Sequence, residues 1–243
     1  MNPAANQSLF ELARMRSRAA LLFGLPLCLG LSALFLLLPE LDLATSRLFF
    51  NPGHSDDGAL IGFWLRENEL LRLSFVAVDM LSRAILLSLL VLLVVQLFRR
   101  HSKVLSTAVV TISLVLGPAV VVNSVFKDQW DRARPREVQD FGGNKQFTPA
   151  WIKSNQCDRN CAFTSGHAAA GFSFVALYFV ARSPLWLWLS VACGALIGST
   201  RIAVGAHFLS DVIFSFFLVY LISAAVARIL VTIAPTAAKA IRI

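Results

Sequence analysis

Apolar residues run without a charge from position 19 to 39, between Arg18 and Glu40, and from 104 to 126, between Lys103 and Lys127. A helix crosses a bilayer with about 20 such residues, so each run predicts a membrane span. Residues 160–181 carry only His167, and 183–200 carry no charge. Two further runs are less pure: 73–98 holds Asp79 and Arg83, and 208–230 holds Asp211 and Arg228. The pattern predicts six spanning helices, over about 19–39, 73–98, 104–126, 163–181, 183–203 and 207–230. Alternating apolar and polar segments of about ten residues, the mark of a membrane β-barrel, are absent. The expected fold is all-α, one domain over 1–243. Arg14, Arg16 and Arg18 before the first run resemble a signal peptide, but no small-residue cleavage motif follows. That run reads as a retained anchor.

Composition agrees. The chain is 57% hydrophobic and 15% charged, with a mean hydropathy of +0.69, against about 25% charge in a soluble domain. This excludes an ordinary soluble enzyme and a nucleic-acid-binding tail. The net charge of +8 then reflects basic membrane flanks and an anion site rather than nucleic acid. With the N-terminus in the cytoplasm, the inner segments hold Arg14, Arg16, Arg18, Arg99, Arg100, Lys103, Arg182, Lys239 and Arg242 against Glu11. The outer loop 40–72 is acidic on balance. The outer loop 127–159 is basic enough to cancel the inside bias, so loop charge alone does not orient the chain. Cys157 and Cys161, close together in that polar loop, suggest a disulfide, which forms in an oxidising compartment. The alternative is half of a metal site, with no second Cys or His pair nearby. Cys28 and Cys193 lie in apolar runs and read as packing residues.

Three clusters could hold a phosphate. In the first, Lys127-Asp128-Gln129-Trp130-Asp131-Arg132-Ala133-Arg134-Pro135, a continued helix would put Lys127 and Arg134 two turns apart on one face, with Pro135 as the stop. The plainer reading is a basic patch touching lipid headgroups. In the second, Thr164-Ser165-Gly166-His167, Ser165 could cap the fourth span and Gly166 admit a close ligand; the plainer reading is a capped helix with an interfacial His. In the third, Thr200-Arg201 to His207 and Asp211, the four-residue spacing lets a carboxylate orient an imidazole. An ionisable residue in a span is costly and marks function by default, though a structural pair fits equally. The expected topology brings all three clusters to one membrane face.

At these residues the sequence resembles the type 2 phosphatidic acid phosphatase (PAP2) superfamily. Lys127 with Arg134-Pro135, then Ser165-Gly166-His167, then Arg201, His207 and Asp211 stand at the family spacing. Thr164 replaces the family's Pro and Thr200 its Ser. The resemblance implies a six-helix membrane bundle with a periplasmic active-site face and no metal or cofactor. It implies His207 as the nucleophile, Asp211 orienting its ring, and His167 as acid and then base. Lys127, Arg134, Ser165, Gly166 and Arg201 bind the phosphate. The expected partners are the bilayer and a lipid phosphate, with both termini cytoplasmic in a bacterial inner membrane. Phosphatidate, phosphatidylglycerol phosphate and lipid A rank ahead of a polyprenyl diphosphate. The stretch from Phe141-Gly142-Gly143 to Cys161-Ala162-Phe163 is loosely similar to loops in bacterial lipid A and phospholipid phosphatases. The alternatives are a lipid phosphotransferase and, outside enzymes, an anion transporter. Oligomeric state leaves no mark in the sequence.

Other residues read as structural. Asp79 and Arg83 are expected to pair, with selection of a lipid headgroup as the functional alternative. Trp64, Trp130, Trp151, Trp186 and Trp188 read as interfacial anchors, and Trp130 and Trp151 could also frame the headgroup. His54 and His101 read as solvated. Loop 40–72 reads as an amphipathic interfacial piece.

Overall fold

The computed structural model describes residues 3–53 and 62–240, with side chains for 9–53 and 62–233; His54, Asp56 and Asp57 lie outside the described residues. The first helix, α1, runs Pro3–Ala19, widens over Ala20–Gly24 and continues as Leu25–Leu37. A short helix α2 (Glu40–Arg47) follows, then a two-residue hairpin pair, β1 (Phe50–Asn51) against β2 (Gly62–Phe63). Helix α3 is Glu69–Phe98. Helix α4 begins at Val104–Leu114, is wide-turned over Val115–Phe126 and closes with Lys127–Gln129. Then come α5 (Gly166–Phe172), α6 (Val175–Val180), α7 (Leu185–Ala203) and α8 (Leu209–Ala240).

Among the described residues, five helices are long and apolar enough to cross a bilayer: Leu9–Leu37, Glu69–Phe98, Val104–Gln129, Leu185–Ala203 and Leu209–Ile233. The fourth expected span, 163–181, is instead the shorter apolar segment Gly166–Val180. It breaks at Ser173–Phe174 into α5 and α6. At 1.5 Å per residue it covers about 22 Å, less than the hydrocarbon thickness. Arg16 closes its C-terminal end. That guanidinium lies 4.4 Å over the Tyr178 ring and donates to the carbonyls of Tyr178, Ala181 (2.7 Å) and Arg182 (2.9 Å). These are the carbonyls a helix end leaves unsatisfied, so a cation ahead of the first span closes the fourth.

Helix α8 packs against α1, α4, α5, α6 and α7 and carries the main core, in which Val212, Val219, Ala224 and Ala227 meet Val109, Val122, Ala168, Ala169, Phe172 and Phe179. Only 6% of the α3 span is buried, against 39% of α8, so α3 stands at the rim with Leu73, Met80, Leu81 and Leu87 outward. The two polar loops are folded, not splayed. Phe50, Phe63 and Phe141 meet edge to face at 5.2–5.5 Å, so loop 40–72 is pinned onto loop 127–159. Phe63, expected at the interface, is thus not an interfacial side chain but a buried one, while Leu70 stays exposed. Helix α2 buries Asp42, Leu43 and Ser46, while Trp64 remains exposed. Trp130 and Trp151 are not lipid anchors either; they pack on Phe126, Phe163 and Phe214.

Candidate active site

His207 stands in the turn between α7 and α8 and is 1% exposed. Gly205, at φ +67°, lets the chain reverse there at no steric cost, and the turn closes with Gly205 N–H to Ile202 O (2.8 Å) and Ala206 N–H to Arg201 O (3.0 Å). The expected hydrogen bond from His207 to Asp211 is not made. Helix α8 starts only at Leu209, so His207 precedes it, and Nδ1 lies 2.8 Å from the Ala162 carbonyl and 3.6 Å from Asp211 Oδ2. With Nδ1–H donating to Ala162, Nε2 keeps its lone pair. Asp211 instead accepts Phe208 N–H (2.8 Å), as a third-position carboxylate closes a helix start. Its field still reaches the ring. Burial, with Arg201, Arg134 and Lys127, holds His207 well below the usual imidazole pKa, so the ring stays neutral at physiological pH.

Beneath this turn lies a fully buried charge network. Arg132, 0% exposed, donates from Nη1 to Asp211 Oδ1 (2.6 Å) and Ser210 Oγ (2.9 Å), from Nη2 to Asp42 Oδ2 (2.8 Å), and from Nε to Thr148 O (2.8 Å). Its Cζ lies 4.4 Å from the Phe208 ring centroid. Asp42 also takes Ser210 N–H (2.8 Å) and Oγ–H (2.6 Å). Burial pushes the Asp42 carboxyl above the usual carboxylate range, against the pull of Arg132. Neither Asp42 nor Arg132 stands out in the sequence. Arg132 sits in an unmarked position of the first cluster, and Asp42 is one acid among several in loop 40–72.

The cations gather on the other side of His207. The helix expected to carry Lys127 and Arg134 on one face stops at Gln129, and Asp131 turns the chain at φ +56°. Arg134 arrives in extended backbone, with Nη2 on Asn160 O (2.6 Å). The two side chains still meet: Lys127, Arg134 and Arg201 all act electrostatically on His207, and Lys127 and Arg201 also on His167. The Arg201 guanidinium lies 4.2 Å over Phe75, whose ring edge meets His167 at 5.5 Å. Arg201 Nε and Thr164 Oγ1 are buried without a hydrogen-bond partner. A native fold seldom leaves such groups unsatisfied, and an anion beside Arg201 would satisfy its Nε.

Ser165 caps α5, its hydroxyl accepting Ala168 N–H (3.4 Å). A Cβ on Gly166 would stand 2.4 Å from Asn123 Oδ1. Asn123 is aimed there by α4: Pro118, which has no N–H to give the ladder, sits in the widened turn, and its carbonyl takes Asn123 Nδ2 (2.7 Å). A cavity of about 720 Å³ opens from Asn123, Lys127, Gly166 and His167 between α3, α4, α5 and α6. Ile85, Leu89, Val110, Leu114 and Leu177 form its apolar wall, with the paired Asp79 and Arg83 on α3. Cys157 and Cys161 form the expected disulfide. Cys161 N–H donates to Lys127 O (3.0 Å), so the small covalent loop braces the first cation. Among the described residues no group of three His, Cys, Asp or Glu side chains is placed to hold a metal ion.

A bundle of apolar helices with imidazoles and cations gathered at one end is built to hold an anion at a membrane surface. A family model for the PAP2 superfamily matches residues 107–234, which include every residue of the three clusters, and the chain belongs to that superfamily. Among curated proteins, it is 32% identical over 216 residues to the lipid A 4'-phosphatase of Francisella tularensis subsp. novicida, covering 84% of this chain and 93% of that protein. It is 31% identical over 201 residues to the lipid A 4'-phosphatase of Rhizobium leguminosarum, covering 76% and 84%. A lipid A 4'-phosphatase of Rhizobium etli is 39% identical over 103 residues, 41% of this chain and 40% of that protein. No solved structure matches.

Proposed function

We propose that this protein hydrolyses a phosphomonoester of lipid A, or of a closely similar membrane lipid, through a phosphohistidine at the periplasmic face of a bacterial inner membrane. The observation that carries the reading is His207 in the field of Lys127, Arg134 and Arg201, with Lys127 also lining, beside Gly166 and His167, an apolar cavity of about 720 Å³. A phosphate fits the cations and acyl chains fit the cavity. The three lipid A phosphatases point to the substrate, and the Cys157–Cys161 bond supports an oxidising compartment.

In this reading His207 Nε2 attacks phosphorus and the bond to the lipid oxygen breaks. His167 gives its proton to the leaving alkoxide, then takes one from the water that attacks the phosphorus–nitrogen bond, releasing inorganic phosphate and neutral His207. The Ala162 carbonyl fixes the tautomer. The three cations carry the charge on the equatorial oxygens, where phosphoryl transfer needs most stabilisation. Asp211, 3.6 Å from Nδ1, stabilises the ring as it becomes positive.

The test is phosphate release by the purified protein in detergent. The panel is bisphosphorylated lipid A, phosphatidate, phosphatidylglycerol phosphate, undecaprenyl diphosphate and a water-soluble phosphate ester, with His207→Ala as blank. The expected result is release fastest from lipid A, unchanged in excess EDTA, blocked by vanadate and independent of a second lipid. No release from any lipid, or an unimpaired His207→Ala, overturns the reading; complete loss in EDTA overturns its metal-free chemistry.

A further inference from the structure

We propose that Asp42, from the connection between the first two long helices, is a positioning residue for the reaction, acting on His207 through Arg132 and Asp211. This rests on His207 being the nucleophile, as proposed above.

The three side chains lie in a line, each 0% exposed: Asp42 to Arg132 at 2.8 Å, Arg132 to Asp211 at 2.6 Å, Asp211 to the His207 ring at 3.6 Å. Every carboxylate oxygen faces a donor or the imidazole. Asp42 Oδ1 takes Ser210 N–H, and Oδ2 takes Ser210 Oγ–H and Arg132. Asp211 Oδ1 takes Arg132, and Oδ2 takes Phe208 N–H. These donated hydrogen bonds and the shared guanidinium favour the ionised form of both carboxylates against the cost of their burial. The line then carries one net negative charge. Arg132 with Asp211 alone would cancel, and the imidazole would lose the field that stabilises it once phosphorus is bonded to Nε2. Asp42 restores that field.

The same residues fix the ring in space. The Arg132 carbonyl accepts Ala162 N–H at 2.8 Å, and Ala162 in turn accepts His207 Nδ1–H. Asp42 and Asp211 hold two backbone N–H groups of the opening turn of α8, the turn on which His207 is mounted. None of these hydrogen bonds goes to the side chains of Lys127, Arg134 or Arg201, although the Asp211 charge is felt at Arg134, so the network acts more on the attacking atom than on phosphate affinity.

The test uses the full chain in detergent, bisphosphorylated lipid A as substrate, inorganic phosphate as the product ligand and vanadate as the transition-state mimic. Asp42→Asn keeps the shape and removes the charge. Its kcat should fall about thirtyfold, the order lost with an outer partner of an active-site ligand. KM and inhibition by inorganic phosphate should stay within about threefold, while vanadate, which bonds the nucleophile as the transition state does, should inhibit more weakly, the signature of an interaction that strengthens only in the transition state. Asp42→Glu, which restores the charge, should recover part of the kcat. A kcat for Asp42→Asn within twofold of wild type overturns the proposal, as does a KM that rises in step with the fall in kcat. If Asp42→Asn does not fold, Ser210→Ala decides: kcat lowered at constant KM supports the relay, and unchanged kcat overturns it. A wild type that releases no phosphate sinks the phosphatase reading and this relay together. An active wild type with an indifferent Asp42→Asn sinks the relay alone.

Discussion

Arg132 and Arg134 are separated by one alanine, and both are buried, yet they occupy opposite electrical worlds. Arg132 lies between Asp42 and Asp211, and these two carboxylates, against the cost of burial, hold it above the ordinary guanidinium pKa. Arg134 is pushed below that value by burial and by Arg136. Its Nη2 donates to a neutral carbonyl, that of Asn160. A charge already matched by carboxylates cannot attract a substrate. A charge left beside Arg201 and Lys127 makes the positive potential that holds a phosphate. One segment of three residues, Arg132 to Arg134, thus supplies both the frame and the binding surface.

Substitutions can break that contrast, and the largest effect expected is outside it. His207→Ala should lower phosphate release about 10⁴-fold or more, as removal of a nucleophile does, with the melting temperature little changed; retained turnover would place the nucleophile elsewhere. Arg132→Ala comes next and should act on stability. It strands two buried carboxylates, a loss of about 3–5 kcal/mol, or roughly 10 °C in melting temperature for a chain of this size. Arg134→Ala and Arg201→Ala should do the reverse: about 10²–10³-fold in rate, the order for one removed transition-state charge partner, with little thermal shift. If Arg132→Ala and Arg134→Ala lose the same quantity, the division between frame and binding surface is wrong.

A smaller effect sharpens the geometry. Gly166→Ala places a Cβ 2.4 Å from Asn123 Oδ1, an overpacking that costs about 1–3 kcal/mol. The double variant with Asn123→Ala should recover part of the lost activity, because neighbouring residues do not act additively. A double variant no better than Gly166→Ala would show that the glycine serves the backbone and not this contact.

How much of this could be read from the chain follows from the kind of signal each feature leaves. The long spans were legible because apolar length is itself the physical requirement. The fourth reads as continuous, since a lone serine does not interrupt an apolar run, yet the helix breaks at Ser173–Phe174. The residues of the three clusters were legible by type and spacing. Their geometry was not: the helix from Lys127 ends at Gln129, and Asp211 caps α8 and binds Arg132 in place of His207. Asp42 was invisible because its partners lie 90 and 168 residues away. The Asn123–Gly166 approach depends on a widening at Pro118 that hydropathy does not register.

The weakest expected effect tests the outer edge of the cationic segment. Glu137 accepts Arg134 N–H (3.2 Å) and the Lys145 ammonium (3.1 Å). Partial burial opposes its charge, but these two donors hold its carboxyl below the usual value. A carboxyl depressed in the folded state adds stability that is complete above its unfolded pKa, about 4.3, and disappears as pH falls through the folded value. The side chain is 30% exposed, so screening limits the gain to about 0.5 kcal/mol. Glu137→Gln should therefore melt slightly below wild type at pH 7, and the gap should close on acidification below about pH 4. A gap that is the same at pH 7 and pH 4 would assign Glu137 to packing, and Arg134 would then owe its placement to Asn160 and the disulfide-braced loop alone.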